Sequence, residues 1–335
     1  MLPDHATRSR MSGAGKIGLA ALTLTGCGGP QSVLNTAGSD ARVLLTMLSV
    51  MLVGLVIIWI LVNGMMLFFN QLQTGAHEER YARYLIVGGG IFFPTLVITA
   101  LLVWGLSIMP DQRAPGDGLR VEVTGEQWWW RIAYWPEGAE TPVIAANEIR
   151  LPVGQRVEFD LKSARVIHSF WIPALGGKMD MFPGRDTRLS LEPTEVGIFR
   201  GQCAEFCGAS HALMAFHVVT MEPADFDAWL AAQAAPAMAP DGDLARRGAA
   251  IFAEQGCGAC HAVRGSDASG QVGPDLTHVG SRLSLGAGIL APTLANYMAW
   301  IDHTGDIKPE VEMPAYDHLG DDELTALATY LMGLK

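Results

Sequence analysis

The chain is short of charge, short of basic residues, and has an odd number of cysteines. Only 17% of its 335 residues are charged while 50% are hydrophobic, a balance that leans toward a membrane protein and leaves room for two soluble domains beside membrane segments. Five cysteines cannot all pair, so a pure disulfide framework is excluded. Residues 1–109 carry 6 basic and 4 acidic side chains, residues 110–242 carry 11 and 18, and residues 243–335 carry 6 and 12. The two later regions therefore lack the basic patches that nucleic-acid binders need. Their acidity serves as a solubilising surface or attracts a basic protein with strong salt dependence. No nucleophile and proton-donor pair stands out anywhere, so bond-making chemistry is not expected in this chain.

What is present is concentrated in the stretch Gly201 to His217, GQCAEFCGASHALMAFH. It packs Cys203, Cys207, His211 and Met214 into a single loop. Two thiolates, an imidazole and a thioether are soft or borderline donors, the set that selects copper over hard cations. A second imidazole has to come from elsewhere. His168 is the candidate, at the end of the alternating run Arg156 to Phe170 that reads as a strand. A single blue-copper ion uses one cysteine; a second cysteine in the same loop lets two thiolates bridge two metals. The competing reading is a Cys203–Cys207 disulfide in an exported domain, which leaves His211 and Met214 unexplained.

A second motif, Cys257-Gly258-Ala259-Cys260-His261, has the C-x-x-C-H spacing of covalent haem attachment. Two thiols add to the haem vinyls and the adjacent His261 takes the iron. A thioredoxin-like pair would need neither the histidine nor this setting.

The copper loop resembles that of subunit II of cytochrome c oxidase, whose motif C-x-E-x-C-x3-H-x2-M is matched by Cys203, Glu205, Cys207, His211 and Met214. The resemblance extends to Gln127-Trp128-Trp129-Trp130, to His168 through Pro173 and to Pro183-Gly184-Arg185, and runs from about Leu44 to about Trp229. It implies a cupredoxin-like β-sandwich with a binuclear copper (CuA) centre and a Glu205 main-chain carbonyl among the ligands. It also implies a magnesium ion at the Glu205 carboxylate shared with subunit I, and Trp128 as the surface residue through which electrons reach copper. The region beyond residue 243 resembles class I cytochromes c, in Gly273-Pro274-Asp275-Leu276 and Val311-Glu312-Met313-Pro314-Ala315-Tyr316. Met313 is then the sixth ligand of haem c, and a Met/His pair raises the haem potential. Together these give the caa-type arrangement, with subunits I and III, the membrane and a cytochrome c donor as partners and no nucleic acid. Other readings with similar metal sites are the electron-transfer subunit of a copper-containing nitric oxide reductase and a membrane-tethered carrier outside an oxidase. A quinol oxidase subunit is excluded if Cys203 and Cys207 bind copper.

Taken in order, residues 1–26 read as an export signal, with Arg8, Arg10 and Lys16 ahead of a short apolar stretch. Leu24-Thr25-Gly26-Cys27 resembles a bacterial lipobox, which would put a lipid on Cys27; an ordinary signal peptide is the alternative. Residues 43–69 and 85–109 are each long and apolar enough for a transmembrane helix, the second with Pro94 as a kink. The copper and haem domains then lie on the outer, periplasmic face of a bacterial inner membrane. Many relatives have a glutamate where this chain has Val87, which puts a proton-uptake role for this subunit in doubt; Glu78 and Glu79 read as exposed loop charges. Residues 118–230 read as the copper domain, built from short strands between turn residues. Residues 231–242 read as an Ala/Pro linker and 243–335 as an all-α cytochrome c domain. Its last helix, Asp321 to Leu334, is expected to pack on its first, Leu244 to Glu254. Of the remaining histidines, His217 reads as a satisfied strand residue, and His278, His303 and His318 as surface or haem-edge residues.

Overall fold

The computed structural model describes Gly29, residues 31–72, Gly75 and residues 78–335. The expected signal peptide, 1–26, and Cys27 lie outside the described residues. Two helical segments are long and apolar enough to cross a membrane, Ser39–Gln71 and Glu79–Ile108. The first is α1 (Ser39–Leu67) with a π-helical turn after it. The second comprises α2 (Glu79–Tyr84), a π-helical stretch Leu85–Phe92 and α3 (Phe93–Ile108). Pro94 lies in the first turn of α3, just after the change from π- to α-helix. Its missing N–H is tolerated in the first turn, and the wider π stretch ends just before it.

α1 begins at Ser39, four residues before the sequence-based boundary, because its polar first turn is packed against the next domain. Asp40 is buried and receives Arg156 Nη1 at 3.3 Å, while Arg156 Nη2 reaches Glu192 at 3.2 Å. Main-chain bonds from Ala37 to Ala174 and from Ser39 to Glu192 complete the joint.

Beyond a short 3-10 turn, Asp111–Arg113, ten strands form two facing five-stranded sheets. One has the order β3 (Val143–Ala146), β2 (Trp130–Trp135), β1 (Arg120–Gly125), β5 (Val157–Ser163), β8 (Thr187–Leu191). The other has β4 (Glu148–Pro152), β10 (Ala215–Met221), β9 (Gly197–Cys203), β6 (His168–Trp171), β7 (Met179–Met181). The alternation of buried and half-exposed residues along β1 and β5 is what a sheet with one face on a core requires. Trp130, Tyr134, Phe159, Phe170 and Phe216 fill the space between the sheets. Phe170 and Phe216 stack with centroids 5.2 Å apart, an offset aromatic pair of the stabilising kind. Gly201 leaves room for this stack, since a Cβ there would come within 2.1 Å of the Phe216 ring. The architecture is a β-sandwich of the cupredoxin-like kind.

α4 (Pro223–Ala234) closes the sandwich. Gln233 lies in its buried last turn, with Nε2 donating to the Ile144 carbonyl at 3.0 Å. The C-terminal domain is all-helical: α5 (Gly242–Glu254), α6 (Leu294–Asp302), α7 (Thr304–Ile307) and α8 (Asp321–Gly333). α5 and α8 cross at Gly248, where a Cβ would stand 2.0 Å from the Ala326 carbonyl oxygen. Gly256, at φ 69°, ends α5 in the left-handed conformation that glycine adopts without strain. It turns the chain into the Cys257–Ala259 turn.

Candidate metal and cofactor sites

The last two strands of the second sheet bring the copper-type donors together. Cys203 ends β9, Met214 directly precedes β10, and the loop between them returns on itself through Cys207 and His211. Cys203 N donates to the Met214 carbonyl at 2.9 Å, closing the loop's neck. The neighbouring strand β6 delivers His168, whose Nδ1 lies 3.7 Å from Cys203 Sγ. Gly125 makes space for that ring: a Cβ there would fall 2.7 Å from His168 Cδ2.

The two sulfurs are 3.8 Å apart and unbonded, so the disulfide alternative is not what the fold forms. His211 Nδ1 is 3.5 Å and Met214 Sδ 3.9 Å from Cys207 Sγ. The Glu205 carbonyl oxygen is 3.2 Å from Cys203 Sγ. Each sulfur thus has an imidazole on its flank and the carbonyl or the thioether beside it. His168, Cys203, Cys207 and Met214 are all buried. The hydrogen bond from Cys207 lowers the Cys203 pKa and favours its thiolate, with burial opposing. By the same coupling Cys207 is pushed up and keeps the shared proton. A metal that displaces this proton leaves two thiolates facing two imidazoles. His168 Nε2, buried, has no hydrogen-bond partner among the described residues. This donor set fits copper on softness alone. The Glu205 carboxylate is half exposed, 4.0 Å from Lys178 Nζ.

The C-x-x-C-H residues line a cavity of about 230 Å³. His261 Nδ1 is 2.7 Å from the Pro274 carbonyl, which fixes the tautomer with the proton on Nδ1 and leaves Nε2 as a lone pair, the form a metal needs. Burial keeps the ring neutral by lowering its pKa. Gly273 is required beside it, since a Cβ would come within 2.5 Å of His261 Cε1. Met313, Arg282, Tyr297 and Trp300 also line the cavity. A guanidinium in an apolar wall, with its own pKa depressed by burial, suits an acidic cofactor. Ligands and charge fit a haem.

Sequence reasoning missed what encloses this cavity. Gln127, Trp128, Trp129 and Asn147 of the sandwich form part of its wall. Trp128, expected at the surface, is only 4% exposed, because the helical domain covers it. Its indole Nε1 donates to the Cys207 carbonyl at 3.0 Å. Trp130 is a core residue, and Trp129 lies under the Arg131 guanidinium, 4.7 Å away. The two domains meet along further bonds. Ala215 N donates to the Ala287 carbonyl at 3.0 Å, Ser210 Oγ to Pro309 O at 2.6 Å and Arg200 to Gly288 O at 2.9 Å. His217 Nδ1 is 3.0 Å from Ser284 Oγ, and Arg165 pairs with Glu312. His278 is not a surface residue either: it is buried, with Nε2 3.1 Å from the Ala235 carbonyl. Lys308, given no role in the sequence, is buried at this junction. No pattern of spacing marks it.

The family model of the cytochrome C oxidase subunit II periplasmic domain matches residues 136–221, and that of cytochrome c matches residues 245–335. The cytochrome c oxidase subunit 2 of Bacillus subtilis (strain 168) is 32% identical over 350 residues, covering 95% of this chain and 96% of that protein. The corresponding protein of Alkalihalophilus pseudofirmus is 39% identical over 226 residues, covering 68% of this chain and 64% of that one, a little under two thirds of its length. A solved structure of the periplasmic domain of subunit II of cytochrome oxidase from Bradyrhizobium japonicum is 29% identical, with a TM-score of 0.32. It covers 36% of this chain and 96% of that one.

Proposed function

Because the chain belongs to the cytochrome c oxidase subunit II family and carries a cytochrome c domain at its C-terminal end, we propose that it is the subunit through which electrons enter a respiratory haem-copper oxidase. They come from a cytochrome c donor and leave to subunit I, where oxygen is reduced to water. The observation that carries this reading is the convergence of Cys203, Cys207, His168, His211 and Met214 on one buried point.

In this reading those five side chains and the Glu205 carbonyl hold a binuclear copper centre. Cys257 and Cys260 tether a haem c, and His261 and Met313 take its iron. When bound, the two groups exchange single electrons, the copper pair sharing one electron over both metals and the Met/His-ligated haem holding a raised potential. The protein's part is position and exclusion of water. Trp128 stands in the wall of the haem cavity and is hydrogen-bonded to the main chain of Cys207, so it bridges the two sites. Tethering the haem domain to the copper domain removes the need to bind a fresh donor for each internal step. The exposed Glu205 carboxylate is the side chain that would face a magnesium ion shared with subunit I. The two apolar helices anchor the chain in a bacterial inner membrane beside subunits I and III, with a lipid on Cys27 after removal of residues 1–26.

Metal analysis and electron paramagnetic resonance of the full chain in detergent test this reading. Two coppers and one covalent haem per chain are expected. A single type-1 copper signal, or haem extracted by acidic acetone, overturns it.

A further inference from the structure

Lys308 comes from the helical domain, just after α7, and is 2% exposed. Its Nζ donates to three main-chain carbonyls: Trp128 at 2.6 Å, Leu213 at 2.9 Å and Gly286 at 2.8 Å. An ammonium has three N–H donors and no acceptor, so every donor is used. The three carbonyls belong to three separate segments. Trp128 lies in the β1–β2 connection, Leu213 in the copper loop, and Gly286 in the helical domain's loop that runs beside β10. Among the described residues no carboxylate forms an ion pair with Lys308. Burial lowers the Lys308 pKa to about 7, with Cys207 opposing, and burying a cation is costly unless the geometry satisfies it fully. Charge-assisted bonds to all three segments provide that. An apolar side chain would fill the same space without that cost but would join nothing.

The position matters as much as the bonding. Trp128 is held at both ends, its carbonyl by Lys308 and its indole Nε1 by the Cys207 carbonyl. Covered in this way, it faces the haem cavity and not solvent.

We propose that Lys308 is a positioning residue, a latch that pins the haem domain over Trp128, so that the copper domain is closed to outside donors and receives electrons only from the chain's own haem. The second half of this statement rests on the function proposed above; the latch itself does not.

The test uses the full chain as purified, with Lys308→Met, a side chain of similar length that has no donors. Hydrogen–deuterium exchange over residues 283–290 and 210–214 should rise roughly tenfold or more, the loss expected for breaking charge-assisted bonds, while β5 stays protected. In the loaded protein, flash-initiated electron transfer from haem to copper should slow by roughly tenfold or more, as for any displaced reacting pair. Both absorption spectra and the haem midpoint potential should be unchanged, the copper midpoint should fall with loss of the positive charge near Cys207, and added soluble cytochrome c should now reduce copper directly. Lys308→Gln, with two donors for three carbonyls, should fall between Lys308→Met and wild type. Wild-type exchange and rates in both variants overturn the latch. So does loss of protection throughout the copper domain, β5 included, which would make Lys308 an ordinary core residue. A wild-type chain that binds no copper or haem would sink the proposed function, and the exchange experiment would still decide on the latch.

Discussion

The indole Nε1 of Trp128 donates to the main-chain carbonyl of Cys207 at 3.0 Å, so the ring that walls the haem cavity is one hydrogen bond from a copper-type cysteine. Trp128→Phe keeps a ring in the cavity wall and removes this bond. It should leave the copper and haem spectra intact and slow haem-to-copper transfer by roughly a factor of ten, since such bonds position reacting groups. Flash photolysis of the loaded chain measures it. An unchanged rate would mean that the bond is not on the path.

His168 depends on a glycine on the facing sheet. A Cβ on Gly125 would meet the His168 ring at 2.7 Å from Cδ2 and 2.9 Å from Cγ. The ring is fully buried beside Trp130, and such a core has little slack. Gly125→Ala should therefore displace the imidazole from Cys203. Copper stoichiometry should fall below two per chain, while the haem content is untouched. Metal analysis of the variant against wild type gives the answer.

These two residues also show what the sequence could reveal. Cys203, Cys207, His211 and Met214 are close in the chain, so their spacing alone brings them to one loop, and residue chemistry does the rest. His168 was legible because alternation placed it at a strand end. The strands Val143–Ala146 and Met179–Met181 were not expected, because four and three residues carry too little alternation to register. Trp128 was expected at the surface because the resemblance implies it, and nothing local says that another domain covers it. Lys308, Asn147 and Arg282 escaped for the same reason: their roles come from contacts between distant segments, and no periodicity encodes those. At Pro94 the proline within an apolar run is legible, and the change of helix type just ahead of it is not.

The helical domain has its own tight point. At the crossing of α5 and α8, a Cβ on Gly248 would lie 2.0 Å from the Ala326 carbonyl oxygen and 2.8 Å from Tyr330 Cβ. A main-chain carbonyl cannot rotate aside, so the helices must separate. Gly248→Ala should destabilise this domain by about 1–3 kcal/mol, the usual cost of overpacking, even though alanine favours the helix itself. The shift should appear in the denaturant midpoint followed by the haem absorption, with the copper domain's transition unmoved.

The domain junction should also respond to pH through His217. Its Nδ1 lies 3.0 Å from Ser284 Oγ across the junction. Burial lowers its pKa below the ordinary 6.5, with Arg200 acting in the same direction and Glu148 opposing. The released state, in which the ring meets water, therefore takes up a proton before the docked state does. Stability rises with pH wherever the released state binds more protons, so the His217 contribution to docking is fully present above pH 6.5. It weakens as pH falls below that, until the docked ring is protonated too. Hydrogen exchange over residues 283–290 should accelerate across this acid window, and His217→Gln, which cannot titrate, should remove the dependence. A pH profile in His217→Gln identical to wild type would assign the effect to another group at the junction.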